Sequence, residues 1–367
     1  MDSVESAPGR LGAVLAAPRS GLAALGPSGP WLATTPALAR RVLTDPASFD
    51  FPGDVSRSGD LSASRADTRS GHTVFSPLTA DRVAIGTATF AEEWRAALAE
   101  HDRVASGTAY DALVLLRRPV ARSTTAAVLV SAGEEQRVVV ADQVLDWIDA
   151  LAPVVAARRP PRSWTRSRRD ERRTRITLED TLASVPDLPG SPAETAAVLA
   201  AGIQVPIAAG AWLIAWLAQH PTSDVDPVHA VWETLRLTPP TWITARITTR
   251  AVDLDGRPVP AGSVVLVSPL LLGRLPDLVP GDVAGLPDFA PGRWRDGGQR
   301  PGAWLPFGAG PHACPGRHLG MAVLTHLAAW AAVRGISLTE RVRIDQSRGL
   351  APVACRFTLA ARTEPVL

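Results

Sequence analysis

The sequence predicts a mainly α protein with a small β region, and three patterns carry that expectation. From Thr195 to Gln219 no residue is charged, the mark of a helix that is apolar all round and therefore buried. From Gly316 to Val333 the residues Leu319, Val323, Leu327 and Trp330 recur at helical spacing and stop at Gly335. Between Val252 and Val267 the pattern changes to short strands around Asp255-Gly256, a two-residue hairpin signal.

In chain order, residues 1–30 are rich in Gly, Ala, Pro and Ser and are expected as a loose or partly helical lead-in, with 31–367 as a single domain. Thr35-Pro36 opens a helix with Leu38, Ala39, Val42 and Leu43 on one face, and Asp45-Pro46 closes it. Residues 51–75 are polar and Gly/Ser-rich, a long loop of the kind that is usually functional. Helical patterns follow over 79–115 and 138–157, marked by Phe90, Trp94 and Leu98 and by Val144, Trp147, Ile148 and Leu151. Residues 158–175 hold nine arginines against Asp170 and Glu171 and read as a solvated loop or helix end. A docking surface for an acidic partner is the sharper alternative; a nucleic-acid arm has only Trp164 as a stacking ring. The charge-free stretch is long enough to span a bilayer. Pro206, Gln204, its small residues and the lack of a nearby basic flank favour a buried central helix instead. Residues 221–230 form a linker, and Glu233 and Arg236 then lie three apart on one helical face. A Pro/Gly-rich meander covers 273–300, and short strands are expected from Ser337 to Leu367.

The composition, 46% hydrophobic and 20% charged, belongs to a soluble globular chain. A net charge of +2 gives no global nucleic-acid signal, and all 38 cations are arginine. Two distant cysteines, Cys314 and Cys355, argue against a disulfide scaffold. The first thirty residues lack a basic start followed by a continuous apolar run, so no signal peptide is expected and the cytoplasm is the default.

Chemistry concentrates in Leu305-Pro306-Phe307-Gly308-Ala309-Gly310-Pro311-His312-Ala313-Cys314-Pro315-Gly316-Arg317. Gly308 and Gly310 permit tight or left-handed turns close to a bulky ligand. Pro315 suits a helix start, which would place Cys314 at the N-terminus of the helix that follows, where free N–H groups favour an anion. A thiolate there is a soft metal ligand. Three rivals stand beside this reading. Gly308-x-Gly310-x-x-Ala313 matches a dinucleotide fingerprint, but Pro306, Pro311 and Pro315 oppose the strand and helix that fingerprint needs. His312, Cys314 and His318 could contribute to a zinc site, although the usual thiolate pairs are missing. The third rival is an inert buried cysteine.

The stretch resembles the haem-binding loop of cytochromes P450, Phe-Gly-x-Gly-x-(His/Arg)-x-Cys-x-Gly, with Phe307, Gly308, Gly310, His312, Cys314 and Gly316 filling every position. The resemblance implies the cytochrome P450 fold, haem (heme b) as cofactor, Cys314 as the axial thiolate to iron, and His312 facing a propionate. Three further stretches extend it. Leu38 to Phe49 resembles the B-helix region of bacterial members. Glu233-x-x-Arg236 followed by Pro291-Gly292-Arg293-Trp294 resembles the buried ion triad that braces the cysteine loop. Arg246 matches the partner of the second propionate. By the same resemblance 51–75 roofs the substrate pocket, where His72 could reach a propionate.

One region departs from the family. Where an acid–alcohol pair normally organises proton delivery, this chain has Ala201-Gly202-Ile203-Gln204-Val205-Pro206. Gln204 donates hydrogen bonds but is no acid, and Val205 does neither. Gly202 and Pro206 suit a local helix distortion that would open room. Asp, Glu, Ser and Thr are all absent from Ala196 to His220, so no shift of register restores the pair.

The resemblance implies a haem-thiolate monooxygenase-like oxidoreductase acting on a small or mid-sized apolar metabolite in specialised metabolism. A ferredoxin and its reductase would be the electron donors, with neither nucleic acid nor a membrane span involved. The alternatives are peroxide-driven oxidation, nitrene-type transfer, rearrangement or cyclisation, or an auxiliary protein that activates a partner enzyme.

Overall fold

The computed structural model describes residues 1–27, 29–51, 74–104, 108–157, 159, 161–220, 225–295, 301–347 and 349–360. In chain order its helices are α1 (Arg10–Leu15), α2 (Pro36–Thr44), α3 (Ala80–Val104), α4 (Ala112–Leu115), α5 (Arg117–Val128), α6 (Glu134–Val155), α7 (Arg166–Ala183), α8 (Pro192–Gln219), α9 (Pro227–Leu237), α10 (Pro269–Leu272) and α11 (Arg317–Ala332). The strands are β1 (Leu22–Ala24), β2 (Trp31–Ala33), β3 (Phe49–Asp50), β4 (Tyr110–Asp111), β5 (Thr244–Thr248), β6 (Val252–Leu254), β7 (Arg257–Val259), β8 (Val264–Val267), β9 (Ile336–Leu338), β10 (Ile344–Asp345), β11 (Ala351–Pro352) and β12 (Arg356–Leu359).

The charge-free stretch is α8, and it is the axis of the molecule. Ser191 Oγ accepts from the Glu194 N–H at 3.3 Å while Glu194 accepts from the Ser191 N–H at 2.8 Å, a capping box that fixes where the helix begins. By length and composition α8 could cross a membrane, yet most of its apolar stretch lies inside the protein: Trp212, Leu213 and Ile214 are fully buried among α5, α9 and α11. A polar shell of shorter helices would not need such a sequence; the centre of a bundle does.

Pro206 sits inside α8 without breaking it. A proline has no N–H, so the carbonyl of Gly202, four residues earlier, loses its helical donor. Thr124 of α5 donates its hydroxyl to that carbonyl at 3.3 Å. A Cβ on residue 202 would lie 3.1 Å from the Thr124 methyl, so the glycine lets α5 come close enough to do this.

A second core lies under a five-stranded sheet of order β1-β2-β8-β5-β3, in which only β2 and β8 run parallel. Residues 1–30, expected as a lead-in, place Val4, Leu11 and Val14 in this core and pair Leu22 with Ala33. The hairpin at Asp255-Gly256 forms as β6–β7, with both turn residues at positive φ.

Two helical segments carry structure that the sequence reading gave only in part or not at all. In the arginine run the helix-end alternative holds from Arg166, and the helix continues to Ala183 beyond it, because its arginines find acids at helical spacing: Arg166–Asp170 at 3.6 Å, Arg175–Glu179 at 3.1 Å and the buried Arg168–Glu171 at 3.6 Å. The other is α5, which the sequence did not mark. Its Ser123, Thr124 and Thr125 are buried, and their hydroxyls are satisfied by the carbonyls of Gly86, Gly202 and Ala121.

Candidate functional site

The loop from Leu305 to Gly316 is held by its own backbone. The Gly308 N–H reaches the Leu305 carbonyl at 3.0 Å, Ala313 reaches Gly310 at 3.1 Å, and the Cys314 N–H reaches the Phe307 carbonyl at 2.9 Å. Gly308 and Gly310 have φ of 68° and 72°, where a side chain is strained. Gly310 also touches α2: a Cβ there would meet the Leu43 carbonyl at 2.6 Å. No strand enters the loop, and α11 starts only at Arg317, so the dinucleotide reading has neither of the elements it needs.

Cys314 lies two residues before the N-cap of α11, slightly outside the helix end expected from sequence. Burial raises its thiol above the ordinary value, while the Gly316 N–H and the Arg317 charge favour the thiolate. Burial is the largest of these, so the sulfur is prepared for an anion yet needs a cation to complete it. Among the described residues no three of His, Cys, Asp and Glu gather to hold a metal ion, and His318 accepts from Arg317 at 3.2 Å. The zinc cluster is therefore not formed. A lone sulfur donor suits a metal that brings its other ligands with it, as a macrocycle does.

The frame behind the loop is ionic and aromatic. Glu233 is fully buried and accepts from Arg236 at 2.6 and 2.9 Å, from Arg293 Nε at 2.9 Å, from Trp294 Nε1 at 3.0 Å and from the Ala290 N–H at 3.1 Å. Arg236 gives its remaining donors to the carbonyls of Gly273, Leu286 and Asp288. A buried pair needs this degree of satisfaction to offset desolvation. Rings carry the frame onward: Trp294 packs on Trp304, Trp304 on Trp232, and Trp232 on Phe307, the residue that holds the Cys314 N–H.

Arg246 and His312 are brought together around a residue that the sequence did not single out. The Arg246 guanidinium lies 3.9 Å from the Phe51 ring centroid, and the His312 ring meets the same ring edge-on at 4.8 Å. Arg246 is only 5% exposed, and burial lowers its pKa, with Asp50 opposing. Among the described residues no carboxylate comes within 4.0 Å of it, so a buried guanidinium stands ready for an acid group. The lone sulfur and this cation together fit a haem with its propionates. His72 lies outside the described residues.

On α8, Gln204 and Val205 line a cavity of about 380 Å³, with Ala208, Trp242, Ile243 and Leu350 on its walls. Gly202 turns instead to Thr124, so the three residues expected to act together are divided between the cavity and the α5 contact.

A second buried cation was also missed. Arg274 bonds Glu5 at 2.6 Å and the carbonyls of Leu237 and Leu270. Nothing local announces a pair 269 residues apart. Trp294 could have been anticipated, since it directly follows Arg293.

The structure is a helical bundle around one long apolar helix, with a glycine-lined cysteine loop braced by a Glu–Arg–Arg cluster. The comparisons agree. The family model described as Cytochrome P450 matches residues 228–330. The structure of cytochrome P450 EryK from S. erythraea covers 93% of this chain and 93% of its own at TM-score 0.69 and 20% identity. A cyclooctat-9-en-7-ol 5-monooxygenase of Streptomyces melanosporofaciens is 35% identical over 34% of this chain, and a sterol 14alpha-demethylase of Mycolicibacterium vanbaalenii is 36% identical over 27% of it. Residues 228–330 thus match the cytochrome P450 family, and the chain as a whole shares the fold of solved cytochromes P450. Its match spans 28% and 21% of the length of those two curated relatives.

Proposed function

We propose that the protein is a haem-thiolate monooxygenase acting on a small or mid-sized apolar metabolite of specialised metabolism, with Cys314 as the axial ligand. The observation that carries this reading is the Cys314 loop, tied through Phe307 and the tryptophans to the buried Glu233 cluster. The two Streptomyces relatives named for cyclooctatin chemistry support the metabolite class.

When bound, haem supplies the chemistry of oxygen insertion. The chain's own residues hold and orient. Cys314 Sγ offers the ligand, with the Gly316 N–H bonded to it. Arg246 and His312 flank Phe51 and would take the two propionates. Gln204, facing the cavity, can hold a water by its amide and so stand in for the missing acid as a hydrogen-bond donor, though not as a proton source. Val205 and Ala208 give the cavity an apolar wall. A ferredoxin and its reductase would supply electrons, in the cytoplasm.

The test is the red-shifted band of the reduced carbon monoxide form. Wild type is expected to show it and Cys314→Ala to lose it while keeping its circular dichroism. A band that survives Cys314→Ala sinks the assignment of the ligand. In Gln204→Ala, product formed per reductant consumed is expected to fall; unchanged coupling removes the water-holding role.

A further inference from the structure

We infer that the cavity beside Gln204 takes an apolar molecule that ends in a carboxylate, and that Arg10 binds that end. The inference rests on the reading of this cavity as the substrate site.

Three observations converge. First, Val205, Ala208, Ile243 and Leu350 give the cavity an apolar wall, Gln204, Thr241, Gln346 and Ser347 add neutral polar groups, and Arg10 is the one lining residue with a formal charge among the described residues. Among the described residues no carboxylate lines the cavity to neutralise it. Second, the acids nearest in sequence are already engaged. Glu5 holds Arg274 at 2.6 Å, and Asp2 holds Arg341 at 2.8 Å. Arg10 makes a single hydrogen bond among the described residues, from Nη2 to the Gln346 carbonyl at 3.3 Å. A guanidinium has five N–H donors in a planar fork, so most of its capacity is unspent.

Third, Arg10 is held in place. Leu11 and Val14 anchor α1 in the second core. Gln346 Nε2 donates to the Pro8 carbonyl at 3.2 Å, so the segment before α1 and the end of β10 are tied in both directions. The cation therefore sits on a fixed rim, with Gln204 of α8 on the lining of the same cavity. A ligand anchored by a carboxylate at Arg10 would lay its apolar body along Val205 and Ala208. Burial of that body supplies affinity, and the charge sets which end points at α8.

The probes are dodecanoic acid and 1-dodecanol, which share a chain and differ in the end group. Binding of each to haem-loaded wild type, Arg10→Gln and Arg10→Glu is measured by titration calorimetry at low and high salt. Wild type is expected to favour the acid by about fivefold or more, the size of a partly exposed ion pair. Arg10→Gln should erase that preference with the alcohol unchanged, Arg10→Glu should reverse it, and high salt should shrink it. Val205→Trp, which fills the cavity, should weaken both probes. Equal binding of acid and alcohol by wild type overturns the inference. So does a preference that survives Arg10→Gln, binding that survives Val205→Trp, or no binding of either probe. The reduced carbon monoxide band of the same preparations separates the two readings. A normal band without acid preference sinks the Arg10 assignment alone. Acid preference without the band sinks the enzyme reading and leaves an anion site.

Discussion

The two sides of the site are built on opposite principles. Behind Cys314 the ionic cluster is fully engaged: Glu233 accepts from two arginines, one indole and one backbone N–H, and Arg236 spends its other donors on three carbonyls. Along α8 the cavity face carries Gln204, Val205 and Ala208, with no acid or alcohol at all. The Thr124 hydroxyl, which meets that turn, is committed to the Gly202 carbonyl. One side is a rigid polar lattice that fixes a ligand atom; the other is an apolar wall with a single amide. The contrast teaches that the cysteine loop is fixed by a closed ionic lattice, while α8 meets its cavity with side chains that hold no acid.

The largest expected effect breaks the rigid side. Glu233→Ala leaves two buried guanidiniums and an indole without their acceptor, a loss of about 3–5 kcal/mol, which is much of a domain's stability. Urea unfolding should show a midpoint far below wild type, with Glu233→Gln between the two. A midpoint within error of wild type would mean the cluster is not the brace of the loop. Next comes Gly310→Ala. It forces a side chain to φ of 72° and a Cβ to 2.6 Å from the Leu43 carbonyl. A cost of about 2 kcal/mol or more follows from strain and overpacking. Haem content after purification should drop with it, while Gly316→Ala, with nothing within 4 Å of the added Cβ, should be mild.

What the sequence made legible follows the same division. The cysteine loop, the Glu233–Arg236 spacing and Arg293 could be read because short motifs with fixed offsets carry them. The hairpin at Asp255-Gly256 could be read because φ > 0 at two successive positions selects those residues. Phe51 was hidden, because a ring between Arg246 and His312 depends on chain segments far apart in sequence. The parallel pairing of β2 with β8 and the Glu5–Arg274 bond were hidden for the same reason. The arginine run was legible as a loop or a helix end, but not the length of α7, which three acids at helical offsets support. Helix α5 was invisible because Thr and Ser have modest helix propensity, and only tertiary partners show why they are buried there.

The smallest effect sharpens the apolar side. Thr124→Val keeps the shape of the side chain and removes the donor to the Gly202 carbonyl, so it should cost about 1 kcal/mol, the value of one buried hydrogen bond left unmade. The cause assigned to that bond is Pro206, which denies Gly202 its helical donor. Pro206→Ala restores an N–H at that position, and the carbonyl no longer depends on α5. In the Pro206→Ala background, Thr124→Val should therefore cost clearly less than in wild type, a coupling that unfolding of the four proteins in a double-mutant cycle measures directly. Equal costs in both backgrounds would show that Thr124 serves α5 packing alone, and that the turn presenting Gln204 to the cavity is shaped by something other than the proline and its borrowed hydroxyl.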